Sequence, residues 1–452
     1  MTTKKQDVKK TTTKKKKSVK NEVEEIKTTE EEINIKVEDK VTEEELKEKN
    51  SVKNLIELIG IILFVIVVLV FFPGTVAWNI VTLLLMLSVL IFVHELGHFI
   101  MAKLFKVHVY EFAIGMGPMV YSFRRKKDPT LYSLRALPIG GYNSIAGESY
   151  DDDNKLSKEQ KMCYKPKWQR FLILIAGVTM NFLLAFILLF VIGLFGTSKQ
   201  DNVIYKVEEN TPAANAGLVS GDRIIKLNGH KIDTWNYLSV VSILKTESDT
   251  FKYEVQHQDG SVQTYEITPR KVIQINDQEG TLVYIEGENT AEKIIKDRNL
   301  KKNEYAEVKV IGIVGNSEIH YGVGNALDYA YKRFKTIVKS MLLILGSLFT
   351  GKLSLDALSG PVGMYTVVKQ ASTFGFLNLL YLTAYLGINL GVMNAIPFPA
   401  FDGGHILFIF IELITGKRVN EKFESICHLI GFILIFGLMI LITFKDIIGL
   451  FG

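Results

Sequence analysis

His94, Glu95 and His98 stand in the order His-Glu-x-x-His. On a helix, positions i and i+4 share a face, so the two imidazoles can grip one metal ion. Glu95 sits one step round from His94, where its carboxylate can take a proton from a water that the metal polarises. That chemistry is hydrolysis, and a catalytic zinc also needs a third protein ligand and an open position. A metzincin is excluded, because Met101 and Leu104 stand where Gly and His are needed. Glu111 is a gluzincin-type candidate, although it follows closely on His98 in β-rich sequence. Asp402 is the better candidate. In NLGVMNAIPFPAFDGGH, an apolar segment carrying Asn389 and Asn394 is broken by Pro397 and Pro399 and then presents the acid. Prolines inside a span free backbone groups, which is tolerated where the segment lines protein or a water-filled cavity. The competing reading of Asp402 is a turn-forming Asp-Gly, and His405 is its rival as a ligand.

The elements that must position these residues are membrane-embedded. Of 452 residues, 48% are hydrophobic, and they are gathered in blocks. A soluble protein scatters them along amphipathic elements. The blocks predict a polytopic α-helical membrane protein with about five spans. These are 52–72, ended by Pro73-Gly74; 76–103, which carries the metal motif; 170–196; 376–398, leading into the Asp402 motif; and 429–444. Ionisable groups inside such a helix are costly and usually functional. The apolar run at the start of 406–428 is too short to span and is expected to lie along or partway into the bilayer.

Residues 1–50 are a basic block followed by an acidic one, almost without aromatics, and are expected to be a disordered tail. No cleavable signal peptide opens the chain. Arg124, Arg125, Lys126, Lys127, Arg135, Lys165, Lys167 and Arg170 place the 107–168 loop in the cytoplasm, together with the tail. Residues 197–375 are then outside a multi-pass cytoplasmic membrane protein. The net charge of +5 does not suggest nucleic acid as a partner. Cys163 and Cys427 are far apart and form neither a CxxC pair nor a disulfide framework.

Two segments have their own patterns. VYEFAIGMGPMVYSF and LYSLRALPIGGYNSI flank RRKKDPT and read as a β-hairpin, with Gly115, Gly117, Gly140 and Gly141 allowing close backbone approach. Residues 201–270, with VIYKVEENTPAANAGLVSGDRIIKLNGHKI, resemble a PDZ domain, a fold that captures an extended peptide by adding it to a sheet edge. The 271–375 stretch reads as β-rich polar sequence without an assignment, followed by amphipathic helix from Asn325 to Leu353.

HELGH in a span, PIGGY in the following loop, the PDZ-like module, LSGPVG at 358–363 and NxxPxPxxDGGH together resemble the bacterial site-2 protease family. The resemblance covers roughly residues 76–452 and implies an intramembrane zinc (Zn2+) metalloprotease. It implies His94, His98 and Asp402 as metal ligands and Glu95 as the catalytic base. The hairpin carrying Gly140 and Gly141 is implied to meet the substrate, and Asn394, with Asn389 less directly, to position it by hydrogen bonds. Implied partners are single-span membrane proteins, such as anti-sigma factors, or remnant signal peptides, with an extended peptide at the PDZ domain. The chain departs from the family in its charged tail, its extra first span, its one recognisable PDZ domain, and Val178 where an AGP motif has Pro. None of these touches the metal centre. A gluzincin-type protease, a PDZ scaffold without enzymatic activity and a transporter are the competing readings. The first predicts full activity in Asp402→Ala and the second a protein without zinc. The third expects a repeat of the spans, which the sequence lacks.

Overall fold

The computed structural model describes residues 59–148, 156–244, 250–275, 282–284, 290–300, 305–353 and 358–451. The charged tail and the start of the 52–72 span lie outside these residues. Helix α1, Ile59–Phe71, is apolar but short as described. After the turn at Pro73-Gly74, Thr75 caps helix α2, Val76–Leu104, by accepting a hydrogen bond from the Trp78 amide. Three more helices match α2 in being long and apolar enough to cross a membrane. They are α3, Lys167–Leu194; α9, Phe376–Ala395; and α11, Glu421–Phe451. Four such helices among the described residues make the chain a membrane protein, with the fifth expected span only partly described.

Between α2 and α3 lie β1, Val109–Arg124, and β2, Leu131–Ile145. The turn joining them holds Asp128, whose carboxylate accepts from the Lys103 ammonium (2.6 Å) and the Thr130 amide (3.0 Å). The two strands do more than form a hairpin. Glu111 to Ile114 pairs on one side with 131–134 and on the other with 141–144, while 119–124 pairs with 131–135. Each strand is thus bent, near Gly115 and Gly117 (φ +83°) in β1 and near Gly140 (φ +80°) in β2. Folding the ribbon this way leaves 141–145 as an outer segment. A Cβ on Gly140 would lie 3.7 Å from Cδ1 of Ile91, so this edge sits against α2 one turn before His94.

A separate apolar core organises the segment after α3. Strands β3, Thr197–Ser198, and β4, Lys206–Val207, precede the short helix α4, Pro212–Asn215. Strands β5, Arg223–Leu227, β6, His230–Lys231, β7, Phe251–Gln256, and β8, Val262–Ile267, form one sheet in the order β6-β5-β7-β8. Helix α5, Trp235–Ser242, packs on it around Ile224, Leu227, Tyr237 and Val255. The sharp β5–β6 turn uses Asn228 and Gly229, both at positive φ, as hairpin turns of this length require. In the unassigned stretch, strands β9, Arg270–Ile275, β10, Leu282–Tyr284, and β11, Tyr305–Val310, form a second sheet in the order β10-β9-β11, with helix α6, Ala291–Asp297. Strands β12, Ile313–Val314, and β13, Ile319–His320, return to pair with β4 and β3.

Helix α7, Val323–Phe349, joins the two parts. It packs on α3 and α9 through Tyr329, Ala330 and Ile337. It is also tied to the α5 end by Thr336 with Thr234 (2.8 Å) and by Lys335 and Lys339 with Asp233. These cations outweigh the burial of the Asp233 carboxyl and hold it below the ordinary carboxylate range. Helix α8, Pro361–Thr373, explains the LSGPVG segment. The Gly360 and Gly363 amides donate to Asp446 Oδ2 of α11 over 2.7 and 2.9 Å. Helix α10, Asp402–Thr415, is bound to α3 by Arg170 and Glu412, a largely buried pair at 2.7 Å. It ends at Gly416 (φ +71°), and α11 begins already at Glu421.

Candidate metal centre

Three side chains converge where α2, α3 and the start of α10 meet. His94 Nε2 lies 3.2 Å from His98 Nε2, and Asp402 Oδ2 lies 3.1 and 3.4 Å from these two nitrogens. Donors about 2.0–2.1 Å from a tetrahedral zinc stand about 3.3 Å from one another, so the three atoms fit as one face of such a site. Both imidazoles are buried, and Asp402 Oδ2 is buried without a hydrogen-bond donor. A buried carboxylate oxygen in that condition calls for a cation. Two imidazoles and a carboxylate are also the donor set that suits zinc.

The rings are held with these nitrogens bare. His98 Nδ1 lies 2.8 Å from the Ile173 carbonyl, to which it donates, so Nε2 keeps its lone pair. His94 Nδ1 lies 3.4 Å from the side-chain amide of Asn181, whose Oδ1 has no other partner. Turned so that Oδ1 accepts from Nδ1–H, that amide does the same for His94. Asn181 is fully buried, and nothing in the HELGH pattern indicates it. Its signal was available all the same, since an Asn in the middle of an apolar span is costly unless it is used.

Small residues make the approach possible. A Cβ on Gly97 would sit 2.4 Å from the Ala176 carbonyl oxygen, and one on Gly177 would sit 2.3 Å from His98 Nε2. Helices α2 and α3 therefore cross backbone to backbone at the metal motif, as glycine contacts allow in membranes. Gly177→Ala should weaken zinc binding about 10–100-fold, since overpacking of this kind costs about 1–3 kcal/mol. A chelator titration of the purified protein checks this, and unchanged affinity would show that the crossing has slack.

The Asp402 segment is shaped by its prolines and glycines. Helix α9 stops at Ala395, and Ile396, before Pro397, is extended as a residue preceding proline prefers. Asp402 then opens α10 instead of sitting in a free turn. Side chains at 403 and 404 would collide with the Ile396 and Phe398 carbonyls at 2.0 and 2.7 Å, so the double glycine lets the loop fold over the helix start.

Other side chains considered from the sequence fall in different places. Glu95 is half-buried, within electrostatic reach of His98, His94 and Asp402, and has no hydrogen-bond partner among the described residues. Asn394 Nδ2 lies 3.4 Å from His94 Nε2, beside the converging atoms, whereas Asn389 lies more than a turn earlier on α9 with its Oδ1 unpartnered. Glu111 is engaged elsewhere. It accepts from Arg135 (2.7 Å), Tyr142 (2.5 Å) and Ser133. Burial pushes its carboxyl up, but these hydrogen bonds outweigh that and hold it below its ordinary value. His405 faces Glu424 and His428 and is not in the convergent set.

The model of peptidase family M50 matches residues 82–438. A Fusobacterium nucleatum protein bearing a zinc metalloprotease name is 38% identical over 378 residues, covering 81% of this chain and 98% of its own. The zinc metalloprotease RasP of Bacillus licheniformis is 30% identical, covering 82% and 99%. The regulator of sigma-W protease RasP of Bacillus subtilis is 29% identical over the same shares. With a buried site fit for zinc where the membrane-length helices α2 and α3 meet the start of α10, and relatives matched over nearly their whole length, the chain belongs to peptidase family M50 and is a zinc intramembrane metalloprotease of the site-2 protease family.

Proposed function

We propose that His94, His98 and Asp402 hold the zinc and that Glu95 is the catalytic base, in a protease that cleaves single-span membrane proteins within or near their transmembrane segment. The convergence of Asp402 Oδ2 on two bare Nε2 atoms among membrane-length helices carries this reading. Zinc bound there supplies a Lewis acid and brings the pKa of a water down to about 7. Glu95 takes the proton of the attacking water as its oxygen reaches the peptide carbonyl carbon. When the C–N bond breaks, Glu95 returns that proton to the leaving amine. Asn394 holds the substrate backbone beside His94, with Asn389 deeper along the same helix.

A helical substrate hides its peptide bonds in its own hydrogen bonds, so it must be drawn out before attack. The outer segment 141–145, with Gly140 and Gly141, offers backbone groups at the α2 face for strand pairing. The module from 201 to 270 acts as a PDZ domain outside the membrane, where the groove between α5 and 309–314, lined by Trp235, Leu238 and Ile311, admits an extended peptide. The tail and the 107–168 loop face the cytoplasm, as their Lys and Arg content favours. A relative named for sigma-W regulation supports anti-sigma factors as substrates, with remnant signal peptides as the other class.

Cells carrying Glu95→Gln in the full chain test the proposal through their membrane proteome. Single-span proteins or signal peptides should accumulate uncut relative to wild type. Accumulation confined to soluble proteins, or none at all, would overturn the substrate class.

A further inference from the structure

His405 on α10, with Glu424 and His428 on α11, forms a second cluster of ligating side chains that the proposed chemistry leaves unused. Glu424 and His428 are i and i+4 on one helix face, and the ligating atoms of all three lie within 4.8 Å of one another. The hydrogen bonds decide what the cluster does. The Ala400 amide donates to His428 Nδ1 over 3.1 Å. A neutral imidazole has one bare and one protonated nitrogen, so Nε2 carries the proton and has no lone pair for a cation. Glu424 Oε1 is taken by His405 Nδ1 at 3.0 Å, and the two imidazoles stack at 3.8 Å and 18°. The cluster is therefore a polar bridge between α10 and α11.

Its other end is the backbone just ahead of Asp402. Ala400 has φ +93°, a conformation that side-chain-bearing residues avoid unless their surroundings impose it. Two contacts from α11 impose it. One is the Nδ1 acceptor; the other is Gly431, where a Cβ would lie 2.1 Å from the Pro399 carbonyl oxygen. His428 also keeps a buried Nε2–H without a partner, which is costly unless its other nitrogen is needed.

We propose that α11 is the latch of the metal-binding loop and that His428 is a positioning residue for Asp402. By accepting the Ala400 amide at Nδ1, it holds the 399–401 turn in the strained form that delivers Asp402 Oδ2 to His94 and His98. This rests on the ligand set proposed above. The last helix then has a place in the zinc site although it contributes no ligand.

The test is the Zn2+ affinity of the full-length protein in detergent, by chelator competition, for His428→Asn, His428→Gln and His428→Leu. Asn can put its Oδ1 about where Nδ1 stands, Gln reaches the Nε2 position instead, and Leu offers no acceptor. His428→Asn should bind close to wild type, and His428→Gln and His428→Leu about 10–100-fold more weakly, as when a hydrogen bond supporting a metal ligand is lost. The unfolding midpoint of the metal-free variants shows whether each still folds, and if Leu does not, the Asn and Gln pair decides. Equal affinities across the series, or Asn falling as far as Gln, would overturn the latch. So would a wild type holding two zinc ions of which His428→Leu loses one. Asp402→Ala in the same titration separates the two ideas. If it leaves affinity unchanged, the ligand assignment fails; if it removes zinc while the His428 series stays flat, only the latch fails.

Discussion

Replacing Glu95 by Gln should lower cleavage by about 10²–10⁴-fold, the usual contribution of a positioned general base, while zinc stays bound. Gln matches Glu in shape but cannot take up a proton. The metal cage should not notice the change, because the converging atoms are His94 Nε2, His98 Nε2 and Asp402 Oδ2. Nor does the substitution break a hydrogen bond, since Glu95 has none among the described residues. The measurement pairs zinc content of the purified protein with cleavage of a single-span substrate in detergent or liposomes. A variant that retains zinc and cleaves at the wild-type rate would remove Glu95 from the mechanism. One that loses both would make it a structural support of the site.

Asp402→Ala should lose zinc and, with it, activity. The loss in affinity should exceed the about 10–100-fold that follows when a ligand's hydrogen-bond partner is removed, because here the ligand itself goes. Two imidazoles would remain, held 3.2 Å apart by the Ile173 carbonyl and Asn181, and two ligands bind zinc weakly. The other ligands weighed from the sequence are engaged elsewhere. Glu111 would have to leave Arg135, Tyr142 and Ser133, and His405 would have to leave Glu424. Full zinc content and full activity in Asp402→Ala would return the site to a gluzincin arrangement. The pair of variants is informative because the expected outcomes differ. Glu95→Gln separates chemistry from metal binding, and Asp402→Ala removes both.

Much of the site could be read from contiguous residues. The His-Glu-x-x-His face follows from helix periodicity within five residues, which packing elsewhere can bury but not rearrange. The long apolar blocks became α2, α3, α9 and α11, because a helix satisfies its own backbone and needs no distant partner in lipid. Pro397 and Pro399 likewise announced the break after α9. The bend of β1 and β2 was only half legible. Alternation and turn residues predict two strands, but the double pairing of 111–114 depends on where glycines let the ribbon fold over itself.

Only the tertiary structure shows which third ligating group reaches the two histidines. Asp402, Glu111 and His405 are all acceptable ligands by type; the proline-broken segment favours Asp402, but nothing local shows that a residue three hundred positions away reaches the histidines while one thirteen positions away does not. The choice was made when Gly97 and Gly177 let α2 and α3 meet at backbone distance, and when Gly403 folded the loop after α9 onto the start of α10. Asn181 and His428 belong to the same class. Each makes one directed hydrogen bond to a distant part of the chain, and such bonds leave no periodicity behind. The sequence by itself determined which residues could do the chemistry. Close packing of helices at a few glycines decided which of them are brought together to do it.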